Sequence, residues 1–265
     1  MNLQLQEKKA IVTGGSRGIG KAIARQLARE GCDVAIGARD EGPLRESADE
    51  LAGETGRKIV PILCDTMNAE AIKAFVRRAA GELGTIHIVI NNAARVSGTP
   101  GTIETVNDTD VLRDFEEKVV GYLRCAQAAL PYLKQAGWGR IINISGGAGR
   151  TPGVQVSAGI RNIGTVNLTK SMANVLGPFG INVNAVYPGF TLTEARAADF
   201  RKESERTGKT VEELMKQAAE ITIIKRLVSA EDIANLVAFL CSPLAAGITG
   251  EAIAINGGAS ADVHY

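Results

Sequence analysis

The chain is poor in the side chains that most often bind metals or cross-link a fold. Its 265 residues include two histidines and four cysteines, and Cys32, Cys64, Cys125 and Cys241 are far apart, with no CxxC pair. That pattern argues against a structural zinc site, and no metal is expected. Long apolar runs are also missing. No segment has the roughly 18 uninterrupted apolar residues of a membrane span, and Met1 to Lys9 is polar, without the apolar stretch of a signal peptide. Neither sign of charge dominates: 30 basic and 29 acidic residues give a formal charge of +1. Nothing therefore marks a nucleic-acid or membrane-surface partner. The expectation is a soluble, cytoplasmic protein with free thiols.

What the chain does have is a 45% apolar composition, enough to cover a large sheet on both faces, at a length near the limit for one core. Short β-rich runs alternate with helical stretches. Strands are expected at residues 9–13, 33–38, 58–65, 86–90, 140–144, 181–186 and 251–255. They are nearly all apolar, as strands buried on both faces must be. Helices are expected from Lys21 to Glu30, from an Asn68 cap to about Gly84, and from a Ser229 cap through Leu240. The alternation implies an α/β fold, Rossmann-type and doubly wound. Its sheet would be seven-stranded and parallel, with helices on both faces and right-handed crossovers. No repeat or linker divides residues 1–265, which read as one domain. One stretch, about 193–226, breaks the rhythm. It is highly charged, and Thr210-Val211-Glu212-Glu213 has capping-box spacing. It reads as a solvated segment that doubles as a lid over the substrate.

The strongest local signal is Thr13-Gly14-Gly15-Ser16-Arg17-Gly18-Ile19-Gly20. It follows a strand and opens a helix. Gly14 allows a tight turn, Gly18 lets backbone approach a pyrophosphate, and Gly20 allows close helix–strand packing. The helix N-terminus then offers free N–H groups and a positive dipole end to phosphate. In that context the loop reads as a dinucleotide cradle rather than a mere turn.

The Gly14-xxx-Gly18-x-Gly20 spacing resembles the short-chain dehydrogenase/reductase family, and the resemblance runs along nearly the whole chain. Asn91-Asn92-Ala93-Ala94 is similar to the family's NNAG, with Ala94 in place of glycine. Gly139 to Ser145 resembles the strand leading to the active site, and Gly180 to Gly189 the sixth strand and its cofactor loop. Ile248-Thr249-Gly250-Glu251 and Asn256-Gly257-Gly258 are similar to the C-terminal signature. The resemblance implies cofactor contacts at Gly14, Ser16, Arg17, Gly18, Ile19 and Gly20. It adds Asp65 at the adenine, then Asn91, Ala93, Ile144, Pro188 and Gly189. Thr191 and Thr193 fall where the family holds the carboxamide and pyrophosphate. It also implies a homodimer or homotetramer paired through helices at 116–130 and 157–176. The second of these is rich in small and apolar residues, including Ala158, Gly159, Gly164, Val166 and Leu168.

NAD enzymes place a carboxylate at the end of the second strand, where it repels a 2′-phosphate. Here that position is Ala38, followed by Arg39, and Arg17 sits within the glycine loop. Two guanidinium groups beside the ribose favour NADP(H) over NAD(H). Asp40 is the best argument for the other choice.

The family's chemistry uses a Tyr, a Lys four residues later, a Ser and an Asn, yet no Tyr-xxx-Lys occurs in this chain. Alignment places Ala158 at the Tyr position, Asn162 at the Lys position, Gly146 at the Ser position and Lys118 at the Asn position. Lys118 and Ser145 are the catalytic candidates, against the plainer readings of a lysine snorkelling to solvent and a strand-end serine satisfying backbone. Asn162 could hydrogen-bond the ribose that the lysine normally holds. Arg161 could bind cofactor phosphate, ribose or an anionic substrate, or lie on the helix surface. His87 reads as structural, and His264 and Tyr265 lie in the tail. Three functions stay open: an NADP(H)-dependent oxidoreductase of unknown substrate, a silent NADP(H)-binding sensor or partner subunit, and a non-redox enzyme in the same pocket.

Overall fold

The computed structural model describes residues 2–95, 99–151 and 153–259. Seven parallel strands form one sheet in the order β3-β2-β1-β4-β5-β6-β9. The first half contains β1 (Lys9–Thr13), α1 (Gly18–Arg29), β2 (Asp33–Ala38), α2 (Glu41–Thr55), β3 (Ile59–Leu63), α3 (Ala69–Leu83) and β4 (Ile88–Asn91). The helix α4 (Asp108–Phe115) runs through one π-helical turn, Glu116–Val120, into α5 (Gly121–Ala136). Then come β5 (Gly139–Ile144), α6 (Val156–Leu176) and β6 (Ile181–Pro188). A short pair, β7 (Thr191–Leu192) and β8 (Val228–Ser229), brackets α7 (Glu194–Thr207) and α8 (Val211–Ala219). The chain finishes with α9 (Ala230–Cys241) and β9 (Ala252–Ile255).

Alternate strand residues point to opposite faces, which gives two cores. Val12, Ile36, Ile90, Ile142 and Val186 meet Ile23, Leu27, Leu44, Ile233 and Val237 of α1, α2 and α9. Ile11, Val60, Val89, Ile141 and Val183 meet Phe75, Cys125, Leu133 and Met172 of α3, α5 and α6. The expected sheet and its two helical layers are therefore present.

Several boundaries differ for local reasons. Helix α1 begins at Gly18, three residues before the expected Lys21, so the glycine loop itself supplies the first turn. Strand β3 ends at Leu63 rather than Asp65; it is an edge strand, paired on one side with β2 only, and Asp65 turns away. Strand β6 continues to Pro188 because β9 pairs with it as far as Pro188↔Ile255. Helix α2 was not anticipated. It is mostly polar, and only Leu44, Ser47, Ala48 and Leu51 are buried. Asn68 accepts from the backbone of Glu70 and Ala71, and Thr210 with Glu213 forms the expected capping box. Within the charged stretch, α7 has no buried residue.

Candidate active site

The strand order reverses at β1, whose neighbours are β2 and β4. The crevice beyond the strand ends at such a switch point is where open α/β sheets take ligands. Its floor is the glycine loop. The N–H groups of Gly14 and Gly15 both donate to Gly37 O, at 2.7 and 3.2 Å, which ties the loop to β2. Gly14 has φ +68°, a left-handed conformation that suits glycine. A Cβ on Gly20 would lie 2.1 Å from Gly14 O, so the helix packs on its own entry turn. Asn92 locks the arrangement by donating from Nδ2 to the carbonyls of Thr13 and Gly14, both at 3.1 Å. Thr13 Oγ1 accepts from the N–H groups of Asn92 and Ala93.

The N-terminus of α1 faces outward, and its first N–H already attracts an anion: Gly18 N donates to the Glu194 carboxylate at 3.1 Å. A carboxylate on that N–H is a stand-in for phosphate, so the cradle fits a dinucleotide pyrophosphate. Thr193 caps α7 by accepting from Arg196 N, and Thr191 Oγ1 donates to Gly189 O. Ser16 and Ile19 line the same loop. Arg17 and Arg39 are exposed and, among the described residues, form no ion pair. Asp40 is also exposed and makes no side-chain cap of α2. Asp65 is exposed and accepts from Met67 N. Asn91 is fully buried; its Nδ2 donates to Tyr122 O and Asn143 Oδ1, so its side chain braces β4 against β5. Ile144, Pro188 and Gly189 lie at the strand ends beside the crevice.

The other wall is built by the π-helical turn, the end of β5 and the first turns of α6. Lys118 is 5% exposed, and its Nζ donates to Ser145 O at 3.0 Å and Asn162 Oδ1 at 2.7 Å. The solvent-snorkelling alternative for this lysine is thus excluded. Burial, followed by the nearby Arg161 charge, holds its ammonium well below the usual lysine range; Glu117 opposes the shift. Ser145 donates its hydroxyl to Asn162 O at 3.0 Å, so its proton is committed to backbone. Gly146 packs against Asn162: a Cβ there would meet Asn162 Nδ2 at 2.7 Å, so the amide would have to shift. Ala158 is buried within its own chain. Tyr122 donates to Ile144 O, and burial pushes its phenol further above its ordinary value.

Arg161 corrects a second expectation. It is not on the helix surface but 3% exposed, and its Nη2 donates to Arg95 O at 2.7 Å. Arg95 N in turn donates to the buried Glu117. No sequence signal singled out Glu117, Arg95 or Glu194; only adjacency to aligned positions could have drawn attention to them. His87 accepts from Lys9 N and meets Trp138 edge-on, a structural role as expected. His264 and Tyr265 lie outside the described residues.

The fold and crevice define the class: a doubly wound α/β protein with a phosphate cradle at its switch point. A family model described as enoyl-(acyl carrier protein) reductase matches residues 14–260. The 3-oxoacyl-[acyl-carrier-protein] reductase FabG of Aquifex aeolicus is 34% identical over 263 residues, covering 97% of this chain and 99% of that one. The NADPH-dependent reductase BacG of Bacillus subtilis is 30% identical, covering 96% and 98%. The structure of L-sorbose reductase from Gluconobacter frateurii, complexed with NADPH and L-sorbose, superposes with a TM-score of 0.93 at 27% identity, over 99% of this chain and 100% of that one. The chain belongs to the short-chain dehydrogenase/reductase family. No described helix is long and apolar enough to cross a membrane, and the described residues contain no cluster suited to a metal.

Proposed function

We propose that this protein is an NADP(H)-dependent oxidoreductase that interconverts a carbonyl and an alcohol, with Lys118 handling the proton. The carrying observation is the hydrogen bond between Lys118 and Asn162. In the family pattern the lysine stands on α6 and the asparagine on the preceding helix. Here the two residue types have exchanged helices, and their side chains still meet. Bound NADPH would supply a hydride, and everything else falls to the protein.

Gly14, Gly18 and Gly20 would cradle the pyrophosphate, with Arg17 and Arg39 at the 2′-phosphate. The relatives whose names include NADPH support that choice. Burial favours the neutral amine of Lys118, and its Nζ is the group placed to exchange a proton with a substrate oxygen. Two of its N–H bonds are used by Ser145 O and Asn162 Oδ1, which leaves one direction for a substrate oxygen. Isothermal titration with NADPH and NADH, then NADPH-oxidation assays on a carbonyl panel, test the reading. Equal or tighter binding of NADH would refute the cofactor choice. Wild-type ketone reduction unaffected by Lys118→Met would refute the proton role.

The second reading, a silent NADP(H) sensor, draws on the committed Ser145 hydroxyl and the absent Tyr. The intact loop at 188–193 favours the redox reading.

We also infer a homodimer or homotetramer built on α6. The small residues of α6 are not the ones that would drive it. Ala158 is buried at home, and a Cβ on Gly164 would meet Phe115 of the same chain at 2.9 Å. The exposed apolar side chains are instead Ile160, Ile163 and Val175. Light scattering showing a stable monomer at micromolar concentration would overturn this.

A further inference from the structure

The guanidinium of Arg161 is nearly as buried as any core side chain, yet its Nε and Nη1 have no hydrogen-bond partner. Only Nη2 is engaged, on Arg95 O. No described carboxylate forms an ion pair with it. Of the two acids whose charges act on it, Asp114 accepts from Ser157 Oγ and Thr99 N on Oδ2 alone and its Oδ1 has no partner, and Glu117 accepts from Arg95 N. Burying an unpaired guanidinium costs several kcal/mol, so such groups are normally paired.

The placement makes this more than a defect of packing. Arg161 lies between Ala158 and Asn162 on α6, and reaches across to the loop that follows Asn91-Asn92-Ala93-Ala94. It therefore sits next to Asn162, to which Lys118 donates, and its positive charge acts on Lys118. When Lys118 carries its proton, ready to act as an acid, the three cations Arg95, Lys118 and Arg161 face the two anions Asp114 and Glu117. The crevice then has one uncompensated positive charge.

We propose that Arg161 is the anchor for a carboxylate on the substrate, so that the enzyme reduces an oxo acid whose carbonyl is presented to Lys118. This deepens the carbonyl-reductase reading and rests on it. A neutral hydroxyl would satisfy an N–H group but leave the charge unbalanced; a carboxylate does both, and guanidinium–carboxylate bonds are among the strongest in proteins.

The test uses the NADPH-loaded, full-length protein. Straight-chain 2-oxo and 3-oxo carboxylates of about three to six carbons, and their methyl esters, are titrated by calorimetry. The Arg161 Nε–H resonance is followed by 15N NMR, which needs no variant. The expected result is a shifted resonance and binding of at least one acid about tenfold or more tighter than its ester. Arg161→Gln should abolish that preference, and Arg161→Lys should keep part of it, with NADPH affinity unchanged in both. Equal binding of acid and ester, or no binding of any acid at tens of millimolar, overturns the proposal. Weaker NADPH binding in Arg161→Gln also overturns it, because the guanidinium would then serve the cofactor. A carboxylate that binds without NADPH oxidation leaves the anchor standing and fails the reductase reading. Oxidation driven only by neutral ketones does the reverse.

Discussion

The two walls of the crevice are built in opposite ways. At the phosphate end, Gly14 to Gly20 are contiguous, and the loop's anchor on Gly37 lies in the next strand. At the opposite end, Lys118 is 27 residues from Ser145 and 44 from Asn162, and Arg161 is 66 from its partner Arg95. The first wall is a backbone shape, in which a missing Cβ cannot be supplied from elsewhere. The second is a set of side chains that reach partners far away in sequence, backbone carbonyls of Ser145 and Arg95 and the Asn162 amide.

The largest expected effect is on the second wall. Lys118→Met should lower turnover of the true substrate about 10²- to 10⁴-fold, the usual worth of a general acid, with NADP(H) affinity within a few-fold of wild type. Retained turnover would transfer the proton to another group. The same variant has a pH signature. The unfolded lysine titrates at its ordinary high value and the native one well below it. Between those values the unfolded chain binds more protons, so this group makes stability rise with pH, by at most about 1.4 kcal/mol per pH unit. Below the native value both states are protonated and the slope vanishes. Urea midpoints at neutral pH and near pH 9.5 should diverge more for wild type than for Lys118→Met.

Next comes the first wall. In Gly20→Ala the new Cβ would meet Gly14 O at 2.1 Å and Asn92 Nδ2 at 2.5 Å, and the backbone atom cannot swing aside. NADP(H) affinity should fall by about a hundredfold or more, with about 1–3 kcal/mol of stability lost to overpacking. Gly53→Ala in α2 is the control: nothing lies within 4 Å, so it should stabilise the helix by about 0.5–1 kcal/mol. Calorimetry and urea unfolding separate the two, and a Gly20 variant that binds normally would remove the loop from the site.

This contrast also explains what could be read from the chain in advance. Strand runs such as Ile11-Val12 and Ile141-Ile142 announce a doubly buried sheet because both faces need apolar residues. The glycine spacing announces the cradle because steric limits act within a few residues. Alignment gives Lys118 its position, but its burial depends on Asn162 arriving from α6. The fate of Arg161 depends on the carbonyl of Arg95. Nor could sequence show that the Asn162 amide packs against Gly146. Helix α2, with few buried apolar residues, left no strong periodicity to find.

A smaller effect sharpens the cofactor assignment. Arg39→Ala should weaken NADP(H) by about tenfold and leave NAD(H) nearly unchanged, since a guanidinium at the ribose gains its charge-assisted bond only from a 2′-phosphate. Titration with both cofactors measures the ratio. Equal losses would return the choice to Asp40 and NAD(H).

The smallest effect lies where α7 touches the glycine loop. Glu194 is the first residue of α7 and its carboxylate occupies the N–H of Gly18, the first residue of α1. A pyrophosphate needs the same N–H group, so it must displace Glu194 and also meet its negative charge. An exposed carboxylate at a helix N-terminus contributes little, so the competition is weak but has a definite sign. Glu194→Ala should therefore tighten NADP(H) binding by about two- to fivefold, although it removes a polar contact. Glu194→Gln should tighten it less, because the amide oxygen can still accept from Gly18 N. The gain should shrink as ionic strength rises, since screening weakens the charge that is being removed. Weaker binding in Glu194→Ala would mean that α7 is positioned by this contact to receive the cofactor rather than to compete with it.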